Sequence, residues 1–78
     1  MKEQKDRYEI FLKVCETGSF SGAATALNYT QSGISQMMAG LEEELGVQLF
    51  ARIKRGVILT DNGARLIPFI QEMVNQKD

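Results

Sequence analysis

The sequence contains no histidine, no tryptophan, one cysteine and one proline among its 78 residues. Without histidine, and with Cys15 as the sole thiol, it lacks the paired nucleophile and base of covalent catalysis. It also lacks a cluster of metal ligands or a phosphate-binding loop. A single cysteine excludes an internal disulfide and fits a reducing compartment. We therefore expect a protein that is not an enzyme and that carries no cofactor or metal.

Long apolar runs are also missing. No run approaches the length of a membrane span, and no apolar segment follows residues 1–6 as a signal peptide requires. Hydrophobic residues make up 44% of the chain and charged residues 24%, as in an ordinary globular domain. A chain of 78 residues has room for one domain with a modest core, but not for a roofed catalytic pocket as well.

Charge is scarce in the middle of the chain. The formal net charge of −1 is not typical of a nucleic-acid-binding protein as a whole. However, no charged residue occurs between Thr17 and Leu41, and the acids of residues 42–44 follow. A basic cluster comes next, formed by Arg52, Lys54 and Arg55. The distribution of charge, and not its total, therefore bears on function.

Hydrophobic periodicity predicts a first amphipathic helix over about residues 3–17, with Gly18 as its C-terminal cap. Its apolar stripe comprises Tyr8, Ile10, Phe11, Leu12, Val14 and Cys15. A short second helix is predicted over about residues 21–27, capped by Ser19 or Ser21. Asn28 follows it, and asparagine tolerates the left-handed backbone conformation that a tight turn requires.

A third helix is predicted over residues 31–45, with Thr30 as its N-cap and Gly46 at its end. One face is apolar and comprises Ile34, Met38, Leu41 and Leu45. Another face is polar, small and uncharged, and comprises Gln31, Ser32, Ser35, Gln36 and Ala39. The acids at 42–44 are expected to form a solvated helix end. Glycine at position 40 lowers the stability of a helix by up to about 1 kcal/mol compared with alanine. A close helix crossing is one explanation for its presence.

Residues 47–60 change to the pattern of a two-stranded hairpin, with β-branched residues around a polar tip at 52–56. Thr60 is expected to cap a last helix, which Asp61 stabilises near its positive end. Pro68 lies inside this helix and removes a backbone hydrogen bond, which predicts a kink or local strain.

Two helices joined by a short turn, the second with a polar outer face, are typical of a helix-turn-helix whose second helix enters the DNA major groove. Glutamine amides pair with adenine, and serine hydroxyls donate or accept at several base edges. The start of the third helix can hold a phosphate, and an arginine of the hairpin, Arg55 above all, can enter a narrow minor groove. The predicted DNA-binding residues are Thr30, Gln31, Ser32, Ser35, Gln36, Arg52, Lys54 and Arg55.

Four segments in order resemble the N-terminal domain of the LysR-type bacterial transcription regulators. They are residues 18–27, 30–35, 41–50 and 55–63, and the resemblance extends over about residues 7–74. It implies a mostly α winged helix-turn-helix fold, with a three-helix core, a two-stranded hairpin as the wing and a C-terminal linker helix. The DNA-binding domain is then expected over residues 1–60 and the linker helix over residues 61–78.

The resemblance also implies partners. The linker helix of the family pairs with the same helix of a second copy, so the implied homodimer would bind a roughly palindromic operator. The implied location is the bacterial cytoplasm, in association with the nucleoid. The implied apolar seam comprises Leu66, Ile70, Met73 and Val74. Members of the family carry a further C-terminal domain that binds a small-molecule effector, and these 78 residues do not include it.

The chain departs from the family pattern on the third helix. The family often has proline where Ser32 stands and a basic residue where Gln36 stands, and bases are frequent at the positions of Ala39 and Gly40. Fewer basic residues mean fewer phosphate contacts and a shallower salt dependence of DNA binding. The alternative hypothesis is a winged-helix module that binds a protein and not DNA. Another winged family, such as a MarR-type or molybdate-sensing regulator, would have the same biochemical role as the LysR type.

Overall fold

Four helices and one hairpin make up the described part of the chain. The structure is a computed structural model that describes the backbone of residues 2–75 and the side chains of residues 7–75. The elements in chain order are α1 (Lys2–Thr17), α2 (Phe20–Leu27), α3 (Gln31–Leu45), β1 (Phe50–Ile53), β2 (Gly56–Leu59) and α4 (Asp61–Asn75). None of the helices within residues 2–75 combines the length and apolarity that crossing a membrane requires. The predicted winged helix-turn-helix architecture is confirmed.

The turns between the first three helices are set by short-range contacts. Gly18 adopts φ +74° and its N–H donates to the Val14 carbonyl, which ends α1. The Ser19 hydroxyl accepts from the Gly22 N–H at 2.7 Å and so caps α2. Asn28 ends α2 with φ 63° and ψ 42°, the left-handed conformation predicted for it. Because a three-residue connection then leads directly to α3, the two helices form a tight helix-turn-helix.

The core lies between the first three helices, the hairpin and α4. Its buried side chains are Ile10, Phe11, Val14, Phe20, Ala23, Ala24, Ile34, Met38, Leu41, Leu49, Phe50, Val57 and Ile70. The Phe50 ring lies 5.4 Å from that of Phe11 and meets the Phe20 ring edge-on at 5.7 Å. Such aromatic pairs add to the stabilisation that burial alone gives. The hairpin is thereby joined to α1 and α2 through a shared aromatic cluster.

The predicted apolar faces need two adjustments. On α1 the buried centre is Ile10, Phe11 and Val14, whereas the other three residues of the predicted stripe are half-buried. On α3 the predicted apolar face ends at Leu41, because Leu45 in the last turn is exposed. Among the described side chains, a β-carbon on Gly40 would meet only the Arg7 guanidinium, at 4.0 Å, so no close helix crossing by these residues explains the glycine.

The hairpin is antiparallel, with Phe50 paired to Leu59 and Ile53 to Gly56. The turn therefore consists of Lys54 and Arg55, and the strands are shorter than the predicted segment of residues 47–60. At the far end, the Thr60 hydroxyl accepts from the Gly63 N–H at 3.0 Å and caps α4, as predicted. Pro68 lies inside α4 on its exposed side, and the kink predicted there stays a prediction.

Candidate nucleic-acid interface

Helix α3 presents the predicted polar face outward. Ile34, Met38 and Leu41 are fully buried, so they fix which side of the helix faces the core. On the outer side, Gln31, Ser32 and Gln36 are exposed and Ser35 is half-buried. These four residues occupy the first two turns of the helix, where residues three and four apart lie side by side. The amide and hydroxyl groups therefore form one accessible surface.

The start of α3 has free backbone donors. The Thr30 hydroxyl accepts from the Gly33 N–H at 3.0 Å, and the Thr30 carbonyl accepts from the Ile34 N–H. Of the first-turn amides, those of Gln31 and Ser32 are left for an outside acceptor, as at any helix N-terminus. Thr30 thus contributes mainly as the cap, and its hydroxyl keeps its own proton to donate.

The hairpin is docked against the helix-turn-helix at its base. The Val57 N–H donates to the Gly18 carbonyl at 3.2 Å. Gly56 adopts φ +142°, and a β-carbon there would collide with the same carbonyl oxygen. Only glycine fits this position, because it needs both the positive φ and the close approach of two backbones. The exposed turn residues Lys54 and Arg55 are therefore carried on a base that is fixed to the α1–α2 turn.

Arg52 does not lie at the hairpin tip, where the sequence had suggested it. It stands within β1, opposite Val57. One guanidinium nitrogen donates to the Ser35 hydroxyl oxygen at 3.2 Å, and the guanidinium carbon lies 5.1 Å from the centre of the Phe20 ring. Arg52 thus connects the wing to α3 and α2, and only Lys54 and Arg55 remain at the tip.

Between the wing and the start of α3 lies an open cleft of about 390 Å³. Its walls come from the α2 N-terminus, the first residue of α3 and the hairpin; they are Ser19, Phe20, Ser21, Gln31, Arg52, Ile53, Lys54, Arg55, Gly56 and Val57. The charged residues of this lining are all basic. A cleft with that lining favours anions, because cationic side chains and hydroxyl groups both supply donors.

Comparison with known proteins identifies the family. A family model described as the bacterial regulatory helix-turn-helix protein, lysR family, matches residues 6–64. The chain belongs to the LysR family. It is 50% identical over 68 residues to a probable hydrogen peroxide-inducible genes activator of Mycobacterium avium, a match that covers 87% of this chain and 22% of that protein. The chain spans about a fifth to a quarter of the length of the curated relatives it matches.

Solved LysR-family structures have the same fold, and DNA complexes are among them. The CbnR DNA-binding domain in its DNA complex is 31% identical, with a TM-score of 0.88, and the match covers 91% of this chain and 82% of that one. The BenM DNA-binding domain in complex with catB site 1 DNA is 32% identical, with a TM-score of 0.84, and the match covers 91% of this chain and 76% of that one. The resemblance inferred from the four sequence segments is confirmed.

One residue of this LysR-family domain was missed by sequence reasoning. Glu42, expected in a solvated helix end, is half-buried, and its Oε2 accepts the N–H groups of Leu49 at 2.7 Å and Phe50 at 3.0 Å. It therefore anchors the entry of β1 to α3. Of its neighbours, Glu44 pairs with Arg7 of α1 and Glu43 is exposed as predicted. No local signal separates Glu42 from the two acids beside it.

The predicted seam on α4 needs a correction. Ile70 is only 2% exposed and lies in the core of its own chain, and Leu66 and Val74 pack partly against that core. Ile70 therefore cannot form the outer surface of the seam. Met73 is 47% exposed, and Phe69, which the prediction did not include, is 66% exposed. The outward apolar surface of α4 is therefore formed by Phe69 and Met73.

Cys15 lies on the α1 side of a groove that α4 borders with Ile67 and Gln71. Burial raises the pKa of the Cys15 thiol to about 11, and a backbone hydrogen bond opposes this rise. A thiol with that pKa is a poor nucleophile and a poor metal ligand at neutral pH. Within the described residues, no three side chains of the metal-ligating types come together.

Proposed function

We propose that this chain binds double-stranded DNA as the N-terminal reading head of a LysR-type transcription regulator. Helix α3 enters the major groove with Gln31, Ser32, Ser35 and Gln36 toward the base edges. The wing lies at the adjacent minor groove or its phosphates, with Lys54 and Arg55 at the tip. The domain acts in the cytoplasm at the nucleoid, where its DNA lies, and it has no catalytic role.

One observation carries the proposal. The uncharged polar face of α3 and the basic hairpin turn belong to one unit, because the Val57 N–H donates to the Gly18 carbonyl and Glu42 of α3 accepts the N–H groups of Leu49 and Phe50. A duplex needs both surfaces at once, since one groove is read while the neighbouring backbone is held. The DNA complexes of the CbnR and BenM domains, which have the same fold, support this assignment.

We further propose that residues 1–60 bind DNA and that α4 is a linker helix that pairs with a second copy; the last three residues of the expected linker segment 61–78 lie outside the described residues. Phe69 and Met73 form the centre of that contact in place of Ile70, because exposed apolar surface of this kind favours association. A two-fold dimer fits a palindromic operator. A small-molecule effector, if the full regulator uses one, binds outside these 78 residues.

The DNA test uses fluorescence anisotropy of a labelled duplex from the promoter beside the gene, titrated at several salt concentrations. We expect Arg55→Gln to weaken binding and to lower the slope of log Kd against log salt by about 0.9, the value for one lost phosphate contact. Lys13→Gln is the matched control, because it removes one positive charge from an exposed ion pair on α1. Equal effects of the two variants, or no binding by the folded wild type at low salt, would overturn the proposal and favour a protein-binding module.

The dimer test is sedimentation equilibrium. The double change Phe69→Gln and Met73→Gln should shift the chain to a monomer. Ile58→Gln is the control, because Ile58 is similarly exposed, at 52%, but lies on the wing. A monomeric wild type, or a dimer that survives the double change, would contradict the assignment of this surface.

A further inference from the structure

We infer that Arg52 is a positioning residue: its guanidinium commits the Ser35 hydroxyl to donate its proton to an acceptor on the DNA. This inference rests on the proposed function and deepens it. It gives Arg52 a role inside the protein, whereas the sequence pattern suggested a direct contact with DNA. The acceptor is an oxygen or ring nitrogen, on either a base edge or a phosphate.

Arg52 is held by two contacts of different kinds. Its guanidinium donates to the Ser35 oxygen at 3.2 Å and also lies 5.1 Å from the centre of the Phe20 ring. A guanidinium over an aromatic face is attracted by the ring electrons and stacks in a defined orientation. Phe20 is itself buried and packs edge-on against Phe50. The guanidinium therefore has a fixed platform beneath it, so its donor toward Ser35 is pre-oriented.

The chemistry of the pair decides the direction of the Ser35 hydrogen bonds. A guanidinium has five N–H donors and no acceptor, so the Ser35 oxygen must act as the acceptor in this pair. Within the described side chains, no group accepts the Ser35 proton. The adjacent positive charge also makes the Ser35 oxygen a poorer acceptor for anything else and its O–H a stronger donor. Ser35 therefore presents a donor on the outer face of α3.

Ser35 is also in the right place to use that donor. It lies one helical turn after Gln31, on the face that carries the exposed amides. Arg52 lines both the cleft beside Gln31 and a second cleft of about 330 Å³ beside Ser35 and Ala39. The Arg52 side chain, which is itself exposed, therefore borders both clefts with its guanidinium beside Ser35, and the exposed tip residues Lys54 and Arg55 remain available to phosphates.

The test begins with selection from a random-sequence duplex library by the wild type, Ser35→Ala, Arg52→Lys and the double variant. Arg52→Lys keeps the positive charge but loses the planar fork and its stacked geometry. If Ser35 donates to a base, both single changes should remove the same base preference, each by about 3- to 10-fold, the effect of one hydrogen bond. The double variant should lose no more than either single variant, because the two residues act as one unit.

If Ser35 donates to a phosphate, the selected sequence should not change, and both single variants should weaken binding to every duplex by the same factor without additivity. Arg52→Gln supplies a second readout. If Arg52 only positions Ser35, Arg52→Gln should leave the slope of log Kd against log salt unchanged, whereas Arg55→Gln should lower that slope by about 0.9. Circular dichroism melts establish that each variant is folded.

Two results would overturn the inference while leaving the proposed function intact. One is a salt slope lowered by about 0.9 in Arg52→Gln, which would make Arg52 itself a phosphate contact. The other is a set of additive effects of Ser35→Ala and Arg52→Lys, or effects on different base pairs. A wild type that enriches no sequence and binds no duplex at low salt would overturn the proposed function, and this inference with it.

Discussion

The attachment of the wing to α3 depends on Glu42, and removing its carboxylate gives a sharp prediction for stability. One oxygen, Oε2, accepts both the Leu49 and the Phe50 N–H groups. In Glu42→Ala both donors lose their partner in a half-buried site. An unsatisfied buried donor costs about 1–3 kcal/mol, and partial access to water favours the lower end of that range. We therefore expect Glu42→Ala to lower the free energy of unfolding by about 2–4 kcal/mol.

Glu42→Gln separates the hydrogen bonds from the charge. Because a single oxygen accepts both bonds, the glutamine carbonyl can replace it, and only the charge assistance is lost. Charge-assisted bonds exceed neutral ones by roughly 1 kcal/mol each, so we expect Glu42→Gln to lower the free energy of unfolding by about 1–2 kcal/mol in this half-buried setting. Glu43→Gln is the matched control, since it removes the same charge from an exposed neighbour on the same helix. Glu43→Gln should change the free energy of unfolding by no more than about 0.5 kcal/mol.

The assay is urea unfolding followed by circular dichroism, at one fixed protein concentration because dimer formation would add to the apparent stability. For a domain of this size, each 1 kcal/mol lost should lower Tm by about 4–8 °C. Equally small losses of unfolding free energy in Glu42→Ala and Glu43→Gln would show that the two hydrogen bonds to Glu42 do not hold the wing to α3. An equal loss of unfolding free energy in Glu42→Gln and Glu42→Ala would also contradict this role.

Three further predictions concern single positions. Gly40→Ala should raise the free energy of unfolding by up to about 1 kcal/mol in the same assay, because among the described side chains the new β-carbon would meet only the Arg7 guanidinium, at 4.0 Å. Gly63→Ala should lower it by about 1–3 kcal/mol, because its β-carbon would lie 2.5 Å from the Leu49 carbonyl oxygen. Iodoacetamide at pH 8 should modify the Cys15 thiol at least about 10-fold more slowly in the folded protein than in urea, since burial raises its pKa to about 11; equal rates would contradict that shift.

The features that sequence reasoning predicted correctly are those fixed by neighbours in the chain. Thr30 begins α3, Asn28 ends α2 and Gly46 ends α3 as predicted, and each depends on contacts within about four residues. The outward face of α3 was also predictable, because a period of 3.6 residues separates it from the buried side. The placement of Gln31 and Gln36 on the surface follows from the same periodicity.

The features that sequence reasoning missed depend on partners far along the chain. Arg52 meets Ser35 across 17 positions, and Glu42 reaches the Phe50 N–H across eight. Helical periodicity could not assign Ile70 to the core or to a partner. An amphipathic helix is expected whether its apolar side packs on its own chain or on a second copy. The structure resolves this, since α4 packs on α1 and turns Ile70 inward and Phe69 outward.

In the proposed complex, the outer face of α3 and the hairpin turn bind one duplex together. The most direct measurement is an NMR titration of the ¹⁵N-labelled chain with its selected duplex. We expect the largest chemical-shift changes at the amides of residues 30–36 and 52–56, in the same titration step, with small changes along the middle of α1. Changes confined to α1 or α4, or changes in only one of the two predicted segments, would contradict it.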